Sequence, residues 1–232
     1  AAAVAVLQDA QKNGRAEIAR AFAASPFNAR PMTSAYCYLT DQLVRTTLQI
    51  AGQRLHPVET LGPNDRLAVI GVGGYGRGEM APYSDVDLLF LIPQTPSQRT
   101  ENLIESMLYM LWDLKLKVGH STRTIRDCVT LGREDFTIQT ALLEHRFIAA
   151  DVALAQDLDE TLKTDLFAGT GRSFIEAKLE ERDARHRKQG LRYVVEPNVK
   201  EAKGGLRDLQ SLFWIAKHIY SVEHAADLVD RG

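Results

Sequence analysis

Residues 67–92 decide the fold, and they read LAVIGVGGYGRGEMAPYSDVDLLFLI. The first six are apolar apart from one glycine, and they predict a short buried strand. The middle of the stretch is rich in glycine and contains a proline, which predicts a loop. The apolar run then resumes and predicts a second strand, with Asp85 and Asp87 at its start. The first structural prediction is therefore a glycine-rich loop between two buried strands.

The two aspartates predict a metal site. Residues two apart in a strand point to the same face, so Asp85 and Asp87 are expected about 6–7 Å apart at their Cα atoms. Two carboxylates beside an apolar run are costly to bury unless a cation neutralises them. Mg²⁺ is the natural partner, because it takes one or two carboxylates together with substrate phosphates.

The preceding loop predicts the matching phosphate site. Gly73 and Gly74 let backbone N–H groups face phosphate oxygens, and Arg77 offers a fork of donors. The alternative is structural, with Asp85 as a turn residue paired with Arg77 and the second aspartate merely exposed. Because the glycines, Arg77 and Ser84 share the loop that leads into the strand, we favour metal and nucleotide binding.

A dinucleotide fingerprint is the competing interpretation of the same glycines. Gly71, Gly73 and Gly76 satisfy G-x-G-x-x-G directly after a predicted strand. That motif needs a helix that opens at its glycines, whereas Gly78 and Pro82 interrupt the span. The acidic residue expected about 20 positions further on is missing as well. No GxxxxGK[ST] motif occurs either, so both nucleotide motifs are disfavoured.

The composition excludes several classes of protein. The 232 residues are 45% hydrophobic and 25% charged, which is enough apolar side chain for a folded core. A formal net charge of -2 gives no global reason to bind nucleic acid or an anionic membrane. No apolar run reaches the ~18–20 residues of a membrane span. Cys37 and Cys128 lack metal-site spacing, so reduced thiols in the cytoplasm are expected.

Three parts are predicted along the chain: an N-terminal helical segment (1–60), an α/β core (61–130) and a helical domain (131–232). Inside the core, steps of three and four predict a helix over 97–114, and alternation predicts a third strand over 115–124. Beyond the core only helices are predicted, one of them holding Phe136, Leu143 and Phe147. The predicted last helix, 206–220, contains Trp214, which is expected to serve packing, and has these apolar residues on one side: Leu206, Leu209, Leu212, Phe213, Ala216 and Ile219.

A strand, a Gly-Gly turn and D-x-D on a second strand resemble the nucleotidyltransferase superfamily that includes DNA polymerase β. The longer string GGYGRGEMAPYSDVDLLFL (73–91) resembles the bacterial PII uridylyltransferase/uridylyl-removing family. Three later segments agree with that family: LWDLKLKVGHSTRTI (111–125), DFTIQTALLEHRFIAAD (135–151) and EPNVKEAKGGLRDLQSLFWIAK (196–217). The resemblance covers residues 35–220.

This resemblance implies an α+β fold, a polymerase β-like mixed sheet with flanking helices and a helical domain. It also implies transfer of UMP from UTP to a tyrosine of the PII nitrogen-regulatory protein, with release of pyrophosphate. Asp85 and Asp87 would be catalytic and would hold Mg²⁺ or Mn²⁺. The nucleotide would be bound by Gly73, Gly74, Arg77 and Ser84. The expected partners are PII and UTP, with no nucleic acid or membrane, in the cytoplasm.

The family signature K-x-x-x-G-G-L-R-D adds two further candidates. Residues 204–205 precede the predicted last helix, and a helix start with bare N–H donors favours anions. Lys203 and Arg207 add positive charge there, so both are predicted to bind nucleotide. The alternative is a plain turn in which Arg207 pairs with Asp208 or Glu201. Analogy with the superfamily favours the nucleotide.

A third metal ligand is left open. Superfamily members usually place a third carboxylate on a neighbouring strand, and the predicted strand over 115–124 has none. His120 is a candidate for that position or a hydrogen-bonded core histidine. Asp113 and Asp127 are first candidates for capping or surface positions. Two alternatives therefore stay open: a related transferase with another nucleotide or acceptor, and a non-catalytic nucleotide-binding module.

The family also carries an HD hydrolase domain that removes UMP and two ACT domains that sense glutamine. No His-Asp dipeptide occurs in these 232 residues. The chain is therefore expected to be part of a longer protein and to lack removal activity and glutamine control by itself.

Overall fold

Two long helices open the computed structural model, which describes residues 2–188, 198–222 and 227–228. They are α1 (Ala2–Ala24) and α2 (Ala29–Ile50), and a wide helical turn, Ala51–Leu55, extends the second one. Their burial is confined to one side, where Leu43 and Val44 of α2 face the rest of the molecule. The predicted helical character of this segment is thus confirmed for the described residues.

A mixed sheet forms the centre of the described structure. Its strands are β1 (Ala68–Gly71), β2 (Val86–Leu91), β3 (Val118–Arg123) and β4 (Arg146–Ala150), in the order β3-β2-β1-β4. Strand β1 runs antiparallel to β2 and β4, whereas β2 and β3 are parallel. A parallel pair needs a crossover connection, and α4 (Gln98–Asp113) provides it. The predicted α+β fold class is confirmed.

Strand β4 corrects the prediction that only helices follow the core. Phe147, which was predicted to share a helix with Phe136 and Leu143, lies on this strand. The segment is only five residues long and sits at the sheet edge, so its local pattern is weak. Its strand form comes from pairing with β1, which is distant in sequence. The sheet therefore extends past the predicted core boundary at residue 130.

The remaining helices cover the sheet and extend beyond it. A single turn, α3 (Gly73–Gly76), follows β1. The others are α5 (Ile125–Glu134), α6 (Phe136–Leu143), α7 (Val152–Thr161), α8 (Gly171–Lys188) and α9 (Leu206–Tyr220), with a wide turn at Leu162–Phe167 after α7. None of the helices among the described residues has the length and apolar character to span a membrane.

Both faces of the sheet are buried. Leu88 and Phe90 of β2 point to the side covered by α2 and α4. Leu89 and Leu91 point to the opposite side, where Leu158 of α7 is fully buried. Each such side chain contributes about 1.5–3 kcal/mol by leaving water. Because side chains of β2 belong to the hydrophobic cores on both sides of the sheet, the position of its first residues is strongly constrained.

Helix α9 buries only part of its apolar surface. Leu206, Leu209 and Leu212 are exposed, whereas Ala216 and Trp214 are buried, as expected for a tryptophan that packs. Trp214 lies in a cluster with Leu143 of α6 and Phe174 of α8, and the Lys178 ammonium is 5.3 Å from its ring. Packing of the Trp214 ring and of the Lys178 ammonium over it thus determines how α9 is oriented, and the three leucines stay exposed.

Candidate nucleotide and metal site

The two aspartates stand at the start of β2, beside the end of β1. Asp85 precedes the strand and is exposed, and Asp87 is half-buried. The backbone N–H of Val72 donates to the carbonyl of Asp87 at 3.0 Å, which ties the two strands together at this point. Burial raises the pKa of the Asp87 carboxyl, and the neighbouring Asp85 raises it further. A cation between the two carboxylates would relieve both effects.

Gly119 of β3 leaves room for the Asp87 carboxylate. The two residues are paired across the parallel strands, and a Cβ on Gly119 would lie 2.5 Å from Asp87 Oδ1. No side chain fits there unless the carboxylate moves. The position beside Asp87 on β3 is thus closed to a third carboxylate.

His120 does not occupy that position. It pairs with Leu88, so it points to the other face of the sheet from Asp87. Its ring instead lies edge-on to Trp112, with the centroids 6.1 Å apart. The hypothesis that His120 stands where the third carboxylate would be is therefore wrong in this geometry.

The other two candidates for a third ligand lie at helix ends. Asp127 forms a capping box with Thr124 at the start of α5, and the hydrogen bonds from the Thr124 N–H and hydroxyl lower the pKa of its carboxyl. Asp113 is the last residue of α4, and its carbonyl accepts from Gln8. In the part of the chain that the structure describes, no group of three His, Cys, Asp or Glu residues could hold a metal ion.

A set of two carboxylates nevertheless suits a hard divalent cation. Mg²⁺ commonly binds through one or two carboxylates, with water and substrate phosphates filling its other positions. The half-buried Asp87, whose carboxyl pKa is raised and whose carboxylate lies over the bare backbone of Gly119, has the chemistry of such a donor. Asp85 and Asp87 therefore fit a Mg²⁺ or Mn²⁺ ion.

The glycine turn lies between the carboxylates and a guanidinium. Gly73 has φ +58°, and a Cβ there would be 3.5 Å from Asp87 Oδ2. A Cβ on Gly74 would be 3.6 Å from Arg77 Nη2. The predicted loop thus begins as the helical turn α3, and the first N–H groups of such a turn have no acceptor within it. Those of Gly73 and Gly74 can face phosphate oxygens.

Ser84 is on the exposed part of the loop, next to Asp85. Its hydroxyl oxygen accepts from the Ala81 N–H at 3.1 Å and closes a short turn. Arg77, in contrast, forms an ion pair with Glu144 at the end of α6. The structural alternative, in which Arg77 pairs with Asp85, is not what the structure has. Glu144 is a site residue that the sequence analysis missed, although it lies inside the quoted segment LLEHR (142–146).

Lys203 and Arg207 are not brought into contact with the aspartates or the glycine turn. The N–H groups of Leu206 and Arg207 donate to the carbonyls of Val199 and Lys200 at 2.9 Å, so the start of α9 is not bare. Gly204 has φ +77°, as a turn requires. These observations favour the plain-turn alternative for this segment, and the assignment of both cations to the nucleotide stays a prediction.

Arg207 is held by its own neighbours. Its guanidinium carbon is 5.5 Å from the Trp214 ring centroid, and Nη1 donates to Gln210 at 2.9 Å. Nη2 is 3.6 Å from the Glu201 carboxylate. Lys203 is exposed.

A groove of about 1540 Å³ separates the glycine turn from α9. Gly76, Arg77 and Glu144 line one part of it, and Leu209 and Phe213 line another. The exposed apolar face of α9 therefore borders the same space as the turn, while the two aspartates lie outside its lining.

Comparison with known proteins shows which families the chain resembles. A nucleotidyltransferase domain family model matches residues 58–148, and a family model described as GlnD PII-uridylyltransferase matches residues 173–232. The chain is 63% identical over 231 residues to the bifunctional uridylyltransferase/uridylyl-removing enzyme of Ruegeria pomeroyi. It is 57% identical over 233 residues to that of Cereibacter sphaeroides and 48% identical over 232 residues to that of Erythrobacter litoralis. Each match covers 100% of this chain and 25% of the relative, so the chain spans a quarter of the length of these curated relatives.

Proposed function

Because this chain belongs to the family of the bifunctional uridylyltransferase/uridylyl-removing enzymes, we propose that it carries their uridylyltransferase site. The reaction is transfer of UMP from UTP to a tyrosine hydroxyl of the PII nitrogen-regulatory protein. A bond forms between the tyrosine oxygen and the α-phosphorus, the α–β phosphoanhydride bond breaks, and pyrophosphate leaves. Family membership also supports a cytoplasmic protein with UTP and PII as its partners.

The observation that carries the proposal is the placement of Asp85 and Asp87 beside the glycine turn. The turn follows β1 at the end of the sheet where β2 begins with the two carboxylates, and Gly73 lies against Asp87. A triphosphate at the turn would thus lie within reach of both. A divalent ion on the two carboxylates supplies neutralisation of the phosphate charge.

The chain's own residues have separate tasks in this proposal. The backbone N–H groups of Gly73 and Gly74 donate to the triphosphate oxygens, and Ser84 borders the triphosphate from the exposed loop. Arg77 adds donors on the far side of the turn, away from the aspartates. Leu209 and Phe213 of α9 line the opposite side of the groove, and Lys203 and Arg207 stay candidates for the nucleotide. These tasks orient UTP and leave the acceptor hydroxyl to enter from solvent.

Incubation of the purified protein with PII, Mg²⁺ and UTP labelled at the α-phosphate tests the proposal. Label on PII that depends on the acceptor tyrosine supports uridylyltransfer. Nucleotide binding without any label on PII would instead support the non-catalytic module, which the two-carboxylate site of the described residues motivates. Binding of ATP, CTP and UTP with Mg²⁺, compared by calorimetry, separates uridylyltransfer from a related transferase that prefers another nucleotide.

A further inference from the structure

The segment that joins α6 to β4 packs against the glycine turn α3 and binds its carbonyls. The Glu144 carbonyl lies so close to Gly76 that a Cβ on this glycine would be 1.8 Å from it. Arg146 donates from Nε to the carbonyl of Gly76 and from Nη2 to that of Tyr75, both at 3.2 Å. Two consecutive carbonyls of the turn are thus bound by one guanidinium.

The same guanidinium connects the turn to α2. Arg146 Nη1 lies 2.8 Å from Asp41 Oδ2, and the Tyr75 hydroxyl donates to Asp41 Oδ1 at 2.7 Å. The guanidinium carbon is also 5.4 Å from the centroid of the Tyr75 ring. The turn is therefore fixed on its inner side by a buried network that leaves it little freedom.

Glu144 adds a contact at the end of the turn, through Arg77. Its side chain is 1% exposed, and its carboxylate forms an ion pair with Nη1 of Arg77, the residue that ends the turn. The other terminal nitrogen of that guanidinium, Nη2, lies beside Gly74. One terminal nitrogen of the Arg77 guanidinium is thus bound by the buried Glu144 carboxylate, and the other terminal nitrogen faces the glycines.

The surroundings of Glu144 make its carboxylate costly to bury. Burial raises the pKa of its carboxyl, and Arg77 opposes that effect, as do Trp214 and Lys217. Its Oε1 atom and the Trp214 Nε1 atom are both buried without a hydrogen bond of ordinary geometry among the described residues, and the nearby Trp214 N–H is one of the groups that lower this pKa. A buried, half-satisfied carboxylate destabilises a fold relative to an apolar side chain. Its presence here is better explained by what it does to Arg77.

We propose that Glu144 is a positioning residue for nucleotidyl transfer, which orients the Arg77 guanidinium toward a triphosphate bound at Gly73 and Gly74. This inference rests on the proposed function. Glu144 itself does not touch the nucleotide and acts only through Arg77. Removal of its charge should release the guanidinium and weaken the hold on UTP, while Asp85 and Asp87 stay in place.

The test is a double-mutant cycle on Glu144→Gln and Arg77→Ala, with KM and kcat for UTP measured in each variant. Glu144→Gln alone should raise KM by about tenfold with a smaller change in kcat, since a misplaced charged donor loses its contact. In the Arg77→Ala background the same substitution should have no further effect on KM. Glu79→Gln, which removes a carboxylate from an exposed residue of the same groove, is the matched control and should leave KM unchanged.

An unchanged KM in Glu144→Gln, or an equal increase in both backgrounds, would overturn the inference. Circular dichroism and Tm of each variant show whether it folds. If Glu144→Gln does not fold, Arg77→Lys replaces it in the comparison, because it keeps the charge but loses the fork that Glu144 holds. An unchanged KM in Arg77→Lys would also overturn the inference. A wild-type protein that binds another nucleotide would contradict only the choice of UTP, and one that binds none would contradict both proposals.

Discussion

Asp87 is the residue on which the electrostatics of the site depends. Its carboxylate is half-buried, has Asp85 as its neighbour, and lies over the bare backbone of Gly119. Burial and the like charge both disfavour the ionised form, so a cation that binds here gains from neutralising the pair. The site is therefore built to accept positive charge.

The first prediction concerns the charge of this pair. Asp85→Asn and Asp87→Asn keep the side-chain size but remove a metal-binding charge, so each should abolish transfer of UMP while the fold survives. Mg²⁺ with UTP should raise the Tm of the wild type and leave that of Asp87→Asn nearly unchanged. Asp9→Asn, an exposed change on α1, is the matched control. Near wild-type transfer by either variant at saturating Mg²⁺ would contradict the metal assignment.

The second prediction uses the close contact at Gly119. In Gly119→Ala the added methyl would meet Asp87 Oδ1 at 2.5 Å, so the carboxylate must move. Activity should fall by about tenfold to a hundredfold, and the free energy of unfolding should fall by about 1–3 kcal/mol because the site is overpacked. Gly52→Ala is the control, since its methyl would make only ordinary contacts, with Leu103 at 3.7 Å and Arg99 at 3.9 Å. Full activity in Gly119→Ala would show that Asp87 does not need its present position.

Two short segments were candidates for phosphate binding, the turn α3 and the start of α9. The turn α3 brings Gly73 to Asp87 and Gly74 to Arg77 within four residues. The start of α9, in contrast, has its first N–H groups bonded to carbonyls of the preceding turn. A helix start attracts anions only where its N–H groups are free. The turn α3 is thus the better phosphate element of the two.

The third prediction decides what the Arg207 side chain does. It lies on the Trp214 ring and near Glu201, so Arg207→Ala should lower the free energy of unfolding by about 0.5–2 kcal/mol through loss of this packing. The affinity for UTP, measured by calorimetry with Mg²⁺, should then change little. A loss of about 1.5–3 kcal/mol of binding free energy would instead assign Arg207 to the phosphates. Arg187→Ala, an exposed change on α8, is the control.

The whole molecule is organised around β2, which is buried on both faces. One face packs on α2 and α4, and the other packs on α5 and α7. The glycine turn is held in addition by Asp41 of α2 and by Arg146 of β4. Residues from three distant parts of the chain therefore meet at the site, and its geometry depends on the integrity of both cores.

The fourth prediction tests this dependence. Leu158 is fully buried on the α7 side of the sheet, so Leu158→Ala should lower the free energy of unfolding by about 2–5 kcal/mol. Urea unfolding should stay a single transition with an unchanged m-value, since β2 belongs to both cores. Leu212→Ala, on the exposed face of α9, should change stability by only about 0.5 kcal/mol. Two separate transitions would show that the two sides of the sheet unfold independently.

Local patterns in the sequence were sufficient to predict the elements whose apolar residues recur with a regular period. Alternation and apolar runs predicted β1, β2 and β3, and steps of three and four predicted α4, all within a few residues of their observed ends. The bounds of α9 and the packing role of Trp214 were also correct. The sequence did not show that Leu206, Leu209 and Leu212 of the same helix are exposed. A helix sequence shows its apolar residues, but the partner determines which of them are covered.

The sequence by itself determined the two carboxylates and the turn beside them, because they lie within fifteen residues and strand geometry places residues two apart on one face. Only the tertiary structure decided that β4 joins β1, that Gly119 rather than His120 stands beside Asp87, and that Arg77 pairs with Glu144. The last pair is separated by 67 residues. Such contacts depend on strand register and on the direction in which the chain returns, and neither is encoded in a local period. This is the physical reason why the residues that carry the proposed chemistry could be named from the sequence, whereas the residues that hold them in place could not.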